Sequence, residues 1–103
     1  MKFGLEDLDI QKIQSVFTHF PEIQKVIIYG SRAKGNFKMG SDIDLTIVGE
    51  NLSFSLLLSI RGKLDDLNLP YLFDVSIFTS LENLDLIEHI NRVGHEFYVL
   101  DNK

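Results

Sequence analysis

The sequence predicts an α/β (α+β) domain, a small mixed β-sheet flanked by helices. Two observations carry this reading. Short apolar, β-branched runs of strand length alternate with segments whose leucines and isoleucines recur at helical spacing. The chain has 103 residues, 45% of them apolar and 24% charged, which suits one modest core and argues against disorder. A single domain over residues 1–103 is expected, with no internal repeat, low-complexity tract or Pro/Gly/Ser linker.

The elements follow in order. Leu5, Leu8, Ile13, Val16, Phe17 and Phe20 fall at helical spacing, which predicts a helix over 5–20 closed by Pro21. Lys25–Tyr29 (KVIIY) reads as a buried strand ending at Gly30, and Ile43–Val48 (IDLTIV) as a second strand closed by Gly49. Ser53 is a candidate N-cap for a leucine-rich helix to Leu67, which Asn68 and Pro70 end. That helix is expected to bury one face on the sheet, although FSLLL is apolar on several sides and leaves room for a partner surface. Tyr71–Phe78 (YLFDVSIF) predicts a third strand with one carboxylate in its middle. Ser80 is then the expected cap of a helix over 81–93, stopped by Gly94, and HEFYV predicts a short edge strand.

Composition excludes several function classes. The formal net charge is −5, so the surface repels phosphate backbones and broad nonspecific nucleic-acid binding is not expected. There is no cysteine, hence no disulfide framework and no thiolate zinc site, which fits the cytoplasm. MKFGLEDLDI has no apolar core after a basic start, so no leader peptide is expected, and no apolar run approaches the length of a membrane span. His19, His89 and His95 are scattered and make no ligand pattern.

The chemistry concentrates in GSRAKGNFKMGSDIDL, Gly30 to Leu45. Because strands alternate faces, Asp42 and Asp44 point the same way while Ile43, Leu45 and Ile47 point to the core. Two carboxylates that close are unfavourable until something neutralises them, and a hard divalent cation such as Mg²⁺ does so, usually together with substrate phosphates. Asp74, between Phe73 and Val75, joins the pair if its strand lies beside the second; otherwise it is an exposed edge position paired with a lysine. Three carboxylates on one face could hold two metals. On the other side of the loop, Gly30 ends a strand where backbone must approach a ligand. Ser31 is expected to cap a short helix suited to an anion. Arg32 and Lys34 add positive charge, and Ser41 either caps locally or touches phosphate. The stretch is neither a Walker-type loop, which needs Gly-Lys followed by Ser or Thr, nor GxGxxG.

These residues resemble a known family. GSRAKGNFKMGSDIDL, preceded by PEIQKVIIY, closely resembles the minimal nucleotidyltransferases of the DNA polymerase beta superfamily, whose signature is Gly-Ser-x-Ala-x-Gly, a spacer, then Ser-Asp-x-Asp-Leu, with a third acid on a later strand. Gly30, Ser31, Ala33, Gly35, Ser41, Asp42, Asp44 and Leu45 fill that pattern, Asp74 fits the third acid, and NRVGHEFYVL is similar to the end of such proteins. The resemblance implies a polymerase beta-like nucleotidyltransferase fold that binds Mg²⁺, two ions in all, and a nucleoside triphosphate, ATP. It implies transfer of a nucleoside monophosphate to an acceptor hydroxyl. Asp42, Asp44 and Asp74 would be the catalytic and metal-binding residues, and Gly30, Ser31, Arg32, Lys34 and Ser41 the nucleotide-binding ones. Larger relatives carry a second domain for base and acceptor, and this sequence has no room for one. A second copy or another protein is therefore expected to complete the site. Proteins resembling this one pair with a helical HEPN-type partner in toxin–antitoxin-like systems, where the nucleotidyltransferase is the antitoxin and in some pairs adds AMP to a tyrosine of the toxin. Two alternatives stay open here: a non-catalytic module that neutralises or scaffolds a helical partner by contact, and a small-molecule, aminoglycoside-type nucleotidyltransferase.

Overall fold

Alternation along one strand sets the sheet. In strand β2 (Ile43–Gly49), Ile43, Leu45 and Ile47 are wholly buried, while Asp44 between them is only half-buried and lies on the opposite face. The computed structural model describes residues 1–101. Its elements run α1 (Asp7–Phe17), β1 (Ile23–Tyr29), α2 (Gly30–Lys34), β2, α3 (Phe54–Asp65), β3 (Phe73–Ile77), a 3₁₀ turn (Phe78–Ser80), α4 (Leu84–Val93) and β4 (His95–Val99). The strands form one four-stranded sheet in the order β3-β2-β1-β4. β1 pairs antiparallel with both β2 and β4, whereas β2 and β3 are parallel and joined by the crossover helix α3. This is the mixed sheet with flanking helices that the sequence predicts, with HEFYV at one edge.

The core lies on the face shared by Val26, Ile28, Leu45, Ile47, Val75 and Ile77. Helix α1 covers it with Ile13, Val16 and Phe17, and α3 with Leu57, Ile60 and Leu64. Phe54 and Leu58 of α3 stay outside at 67% and 50% exposure. Helices α2 and α4 lie towards β1 instead. Ile27, on the face opposite the core, meets the end of α4 at Gly94. Both edges of the sheet are bonded by helix side chains. Gln14 Nε2 donates to the Phe97 carbonyl on β4 (2.8 Å), and Arg61 Nη2 donates to the Val75 carbonyl on β3 (2.9 Å). Such contacts occupy carbonyls that would otherwise offer a template for a further strand. Among the described residues no helix is long and apolar enough to cross a membrane.

Some local expectations change. Leu5 is fully buried but precedes α1, in a turn where its N–H bonds the Lys2 carbonyl at 2.8 Å. Ser53 does cap α3, its Oγ accepting from the Leu56 N–H at 3.1 Å. Ser80, however, lies in the 3₁₀ turn, and the cap of α4 is Asn83, whose Oδ1 accepts from the Leu86 N–H at 3.2 Å. Gly94 does not stop α4 by a left-handed turn, since its φ is −68° and its ψ 148°. Its need is space, because a Cβ there would collide with the Ile90 carbonyl and the Ile27 side chain.

Leu45 is wholly buried in this core, and truncating it leaves a cavity there. Leu45→Ala is expected to destabilise the fold by about 2–5 kcal/mol. Urea unfolding should show a lower midpoint at unchanged slope.

Candidate active site

Sheet register assembles the site. Tyr29 on β1 is the partner of Asp44 on β2, and Asp44 is the partner of Asp74 on β3. Directly paired residues share a face, so Tyr29, Asp44 and Asp74 form a row across three strands on the face away from the main core. The next row is Ile27, Thr46 and Ser76, where the Ser76 hydroxyl donates to Thr46 Oγ1 at 2.9 Å and satisfies a wholly buried threonine. Asp42 lies one residue before β2 and is exposed, as is Asp74. The second and third carboxylates therefore flank the half-buried Asp44, one ahead of it along the chain and one across the strand pair.

Gly30 follows Tyr29 at the point where β1 turns into α2. Its φ is +76°, and a Cβ there would collide with the Asp44 carboxylate. Only glycine lets the backbone come this close to the acid. The electrostatics match the crowding. Burial pushes the Asp44 carboxyl up to about 6, with the charges of Asp74 and Asp42 adding to the shift and Arg32 opposing it. The Tyr29 hydroxyl is also raised, first by burial; the Ser76 hydroxyl opposes this, and Asp74 and Asp44 reinforce it.

Tyr29 itself is 7% exposed and packed edge-on against His89 of α4, ring centroids 6.3 Å apart. The sequence signal was available: Tyr29 ends the strand one residue before Gly30, and its register partner is the second acid of the DxD.

The loop residues divide. Arg32, expected from the sequence as a cation for phosphate, lies elsewhere than an open loop cation would. It is 4% exposed and turned inward. Its Nε and Nη2 donate to the Ser41 carbonyl (3.1 and 2.8 Å) and its Nη1 to the Phe3 carbonyl (2.9 Å), so its fork is satisfied by backbone oxygens. Ser31 is not the cap of α2. Tyr29 occupies the cap position and makes no side-chain capping bond, which leaves the half-buried Ser31 inside the first turn. Ser41 takes the local role, its Oγ accepting from the Lys38 N–H at 2.8 Å. Lys34 is exposed in the last turn of α2.

Asp42, Asp44 and Asp74 offer only carboxylate oxygens, the donor type that hard divalent cations take. Among the described residues, no group of three or more His, Asp or Glu is drawn together closely enough to hold a metal ion by itself. The raised Asp44 carboxyl and the cleared space at Gly30 fit a cation and an anionic ligand arriving together.

Asp44 supplies a sign test. Its folded value lies above that of an unfolded carboxylate. The metal-free fold is therefore favoured by Asp44 below pH about 4, and that advantage is lost as pH rises through about 6. In chelator, Asp44→Asn is expected to melt higher than wild type at pH 7.5, with the gap closing as pH falls to about 4. Thermal melts across that range measure it.

Comparison with known proteins places this geometry. The family model for "Polymerase beta, Nucleotidyltransferase" matches residues 11–103. Solved structures similar to the chain include a toxin–antitoxin with AMP-PNP, at 20% identity over 88% of this chain and 73% of that one, TM-score 0.72. Another is the tri-AMPylated Shewanella oneidensis HEPN toxin in complex with MNT antitoxin, at 18% identity over 93% and 74%, TM-score 0.69. A third, the toxin–antitoxin MntA-HepT, matches at 18% identity over 92% and 74%, TM-score 0.68. At these identities the likeness is one of fold. No curated protein sequence matches significantly. The family model spans nearly the whole chain, and with it the chain belongs to the polymerase beta nucleotidyltransferases.

Proposed function

We propose that the protein is a single minimal nucleotidyltransferase domain, residues 1–103, that transfers AMP from ATP to an acceptor hydroxyl on a helical HEPN-type partner and thereby acts as its antitoxin. The observation that carries this reading is the carboxylate row beside a glycine cleared for close approach. The similar structures support the choice of nucleotide and partner: one is a toxin–antitoxin with AMP-PNP, another a tri-AMPylated HEPN toxin with its MNT antitoxin.

Asp42, Asp44 and Asp74 hold Mg²⁺ in this reading. When bound, the ion neutralises the carboxylates and the charge on the triphosphate. Gly30 and Ser31 bring backbone and hydroxyl to the β,γ-phosphates, and exposed Lys34 adds charge at the same end. The acceptor oxygen bonds to the α-phosphorus as the bond from that phosphorus to the bridging oxygen breaks, and pyrophosphate leaves. The acceptor proton passes to Asp74, the exposed acid of the row, and on to water. Positioning and electrostatics carry such chemistry, so the chain needs no covalent nucleophile.

Incubating the purified protein with Mg²⁺ and ATP labelled at the α-phosphate, in a lysate of its own source, is expected to label a protein band. Asp42→Asn should lower the labelling by about 100-fold or more, the scale of losing a preorganised charged group, and mass spectrometry then names the acceptor residue. Label in no protein, RNA or small-molecule fraction, despite ATP binding, would replace this reading with a module that neutralises its partner by contact. Full protection against the partner by Asp42→Asn and Asp44→Asn would do the same.

A further inference from the structure

Arg32 is the most constrained charged side chain in the molecule, and its bonds run to two segments far apart in sequence. On one side it donates to the carbonyls of Phe3 (2.9 Å) and, at longer range, Gly4 (3.4 Å) in the N-terminal turn. On the other it makes two bonds to the single carbonyl of Ser41. The guanidinium carbon lies 5.4 Å from the centre of the Phe37 ring and 5.2 Å from that of Tyr71. Tyr71 leads into β3, where the Leu72 carbonyl accepts from the Ile43 N–H at 2.9 Å.

The segment that Arg32 grips has little else to hold it. Gly35 and Gly40 both have positive φ (89° and 86°), and a Cβ on either would meet nothing within 4 Å. The turn between them closes on itself, with Ser41 N–H to the Lys38 carbonyl (3.0 Å) and Lys38 N–H to Ser41 Oγ (2.8 Å). Lys38, Met39 and Gly40 are exposed. The turn is thus a small closed unit on an open loop. It is fastened to the body by the Arg32 fork and by Phe37, whose ring fills the space that a side chain on Gly4 would need. The Ser41 carbonyl belongs to the same planar peptide as the Asp42 nitrogen. Fixing that carbonyl with two bonds from a rigid, planar donor fixes where the Asp42 backbone begins.

We propose that Arg32 is a positioning residue: it sets Asp42 through the Ser41 carbonyl, and through it the N-terminal turn at Phe3 and Gly4 becomes part of the active site's support. The proposal rests on the reading of Asp42 as a metal-binding acid. In this role the donors of Arg32 serve the carbonyls of Phe3, Gly4 and Ser41.

Arg32→Gln and Arg32→Lys test it, since neither side chain supplies the fork. Three quantities are compared with wild type, well below the melting temperature. Amide hydrogen exchange in metal-free protein should speed up at Ser41, whose N–H bonds the Lys38 carbonyl, and stay unchanged at Leu45 and Ile47. Mn²⁺ affinity in the presence of ATP should fall by about tenfold, the scale seen when a metal ligand's outer support is removed. ATP affinity without metal should not change. Exchange at Ser41 equal to wild type would overturn the proposal, as would a loss of metal-free ATP affinity as large as the loss of Mn²⁺ affinity, which would make Arg32 a phosphate ligand. Should both variants fail to fold, Phe37→Leu keeps every donor, loosens the stacking, and is expected to move exchange and Mn²⁺ affinity in the same direction by a smaller factor; no change would overturn the proposal. If wild-type protein binds no Mn²⁺ with ATP, the proposed function fails, and the exchange measurement alone then decides the role of Arg32.

Discussion

Asp44 and Asp74 are held side by side because β2 and β3 pair in register, and that enforced proximity of like charges is the constraint around which the rest of the site is arranged. Two carboxylates at neighbouring positions of a ladder repel, and burying one makes matters worse. Asp44 responds by holding its proton towards neutrality. The fold supplies no salt bridge to quench the pair: among the described residues the one ion pair joins Arg92 to Glu88, on the surface of α4. Arg32 is near enough to lower the Asp44 carboxyl, but its fork is bonded to backbone carbonyls instead. The metal-free fold thus keeps an electrostatic debit that ligand charge would relieve. A sheet selected only for stability would place Asn or Thr there, as it places Thr46 and Ser76 one row on.

The fold can carry that strain because its two faces do different work. Ile43, Leu45 and Ile47 alternate with the polar side chains, so the strand that presents Asp44 is also the most buried strand of the core. The residues that bury the strand cannot rotate away without exposing that core, because a slip of one residue would exchange the faces. Register is therefore specified by hydrophobic burial, and the acid row inherits that precision. Side-chain bonds from Gln14 and Arg61 each occupy one carbonyl of an edge strand.

Much of this was legible in the sequence. The strand periods of KVIIY, IDLTIV and YLFDVSIF, the glycine after Tyr29 and the DxD spacing gave the strands and the acids; that Asp74 shares a face with Asp44 depended on strand order, which the sheet supplies. Less legible was whatever depends on contacts between distant segments. Arg32 looks like an ordinary loop cation beside Lys34, and nothing local says that the carbonyls of Phe3 and Ser41 converge on it. Nothing near Tyr29 in the chain shows that α4, some sixty residues later, brings His89 against it. Ser80 and Asn83 are both good caps by type, and which one is used depends on the 3₁₀ turn that consumes the first. Gly94 shows the same limit: a helix-stopping glycine was expected for its backbone freedom, whereas tertiary crowding by Ile27 and Ile90 is what requires it.

The openness of the site follows from the same topology. The row runs from buried Tyr29, closed off by α4, through half-buried Asp44 to exposed Asp74 on the edge strand β3. Burial falls steadily along it, so one end is walled and the other faces solvent. Asp42 is exposed as well. Groups that need a dry, shaped environment to react gain from exclusion of water, and Asp74 is exposed on the edge strand. An acceptor brought by another molecule would approach from that open side and would itself complete the enclosure. In the reading proposed above, the row is closed at the first strand and leaves its open edge to the partner that brings the acceptor.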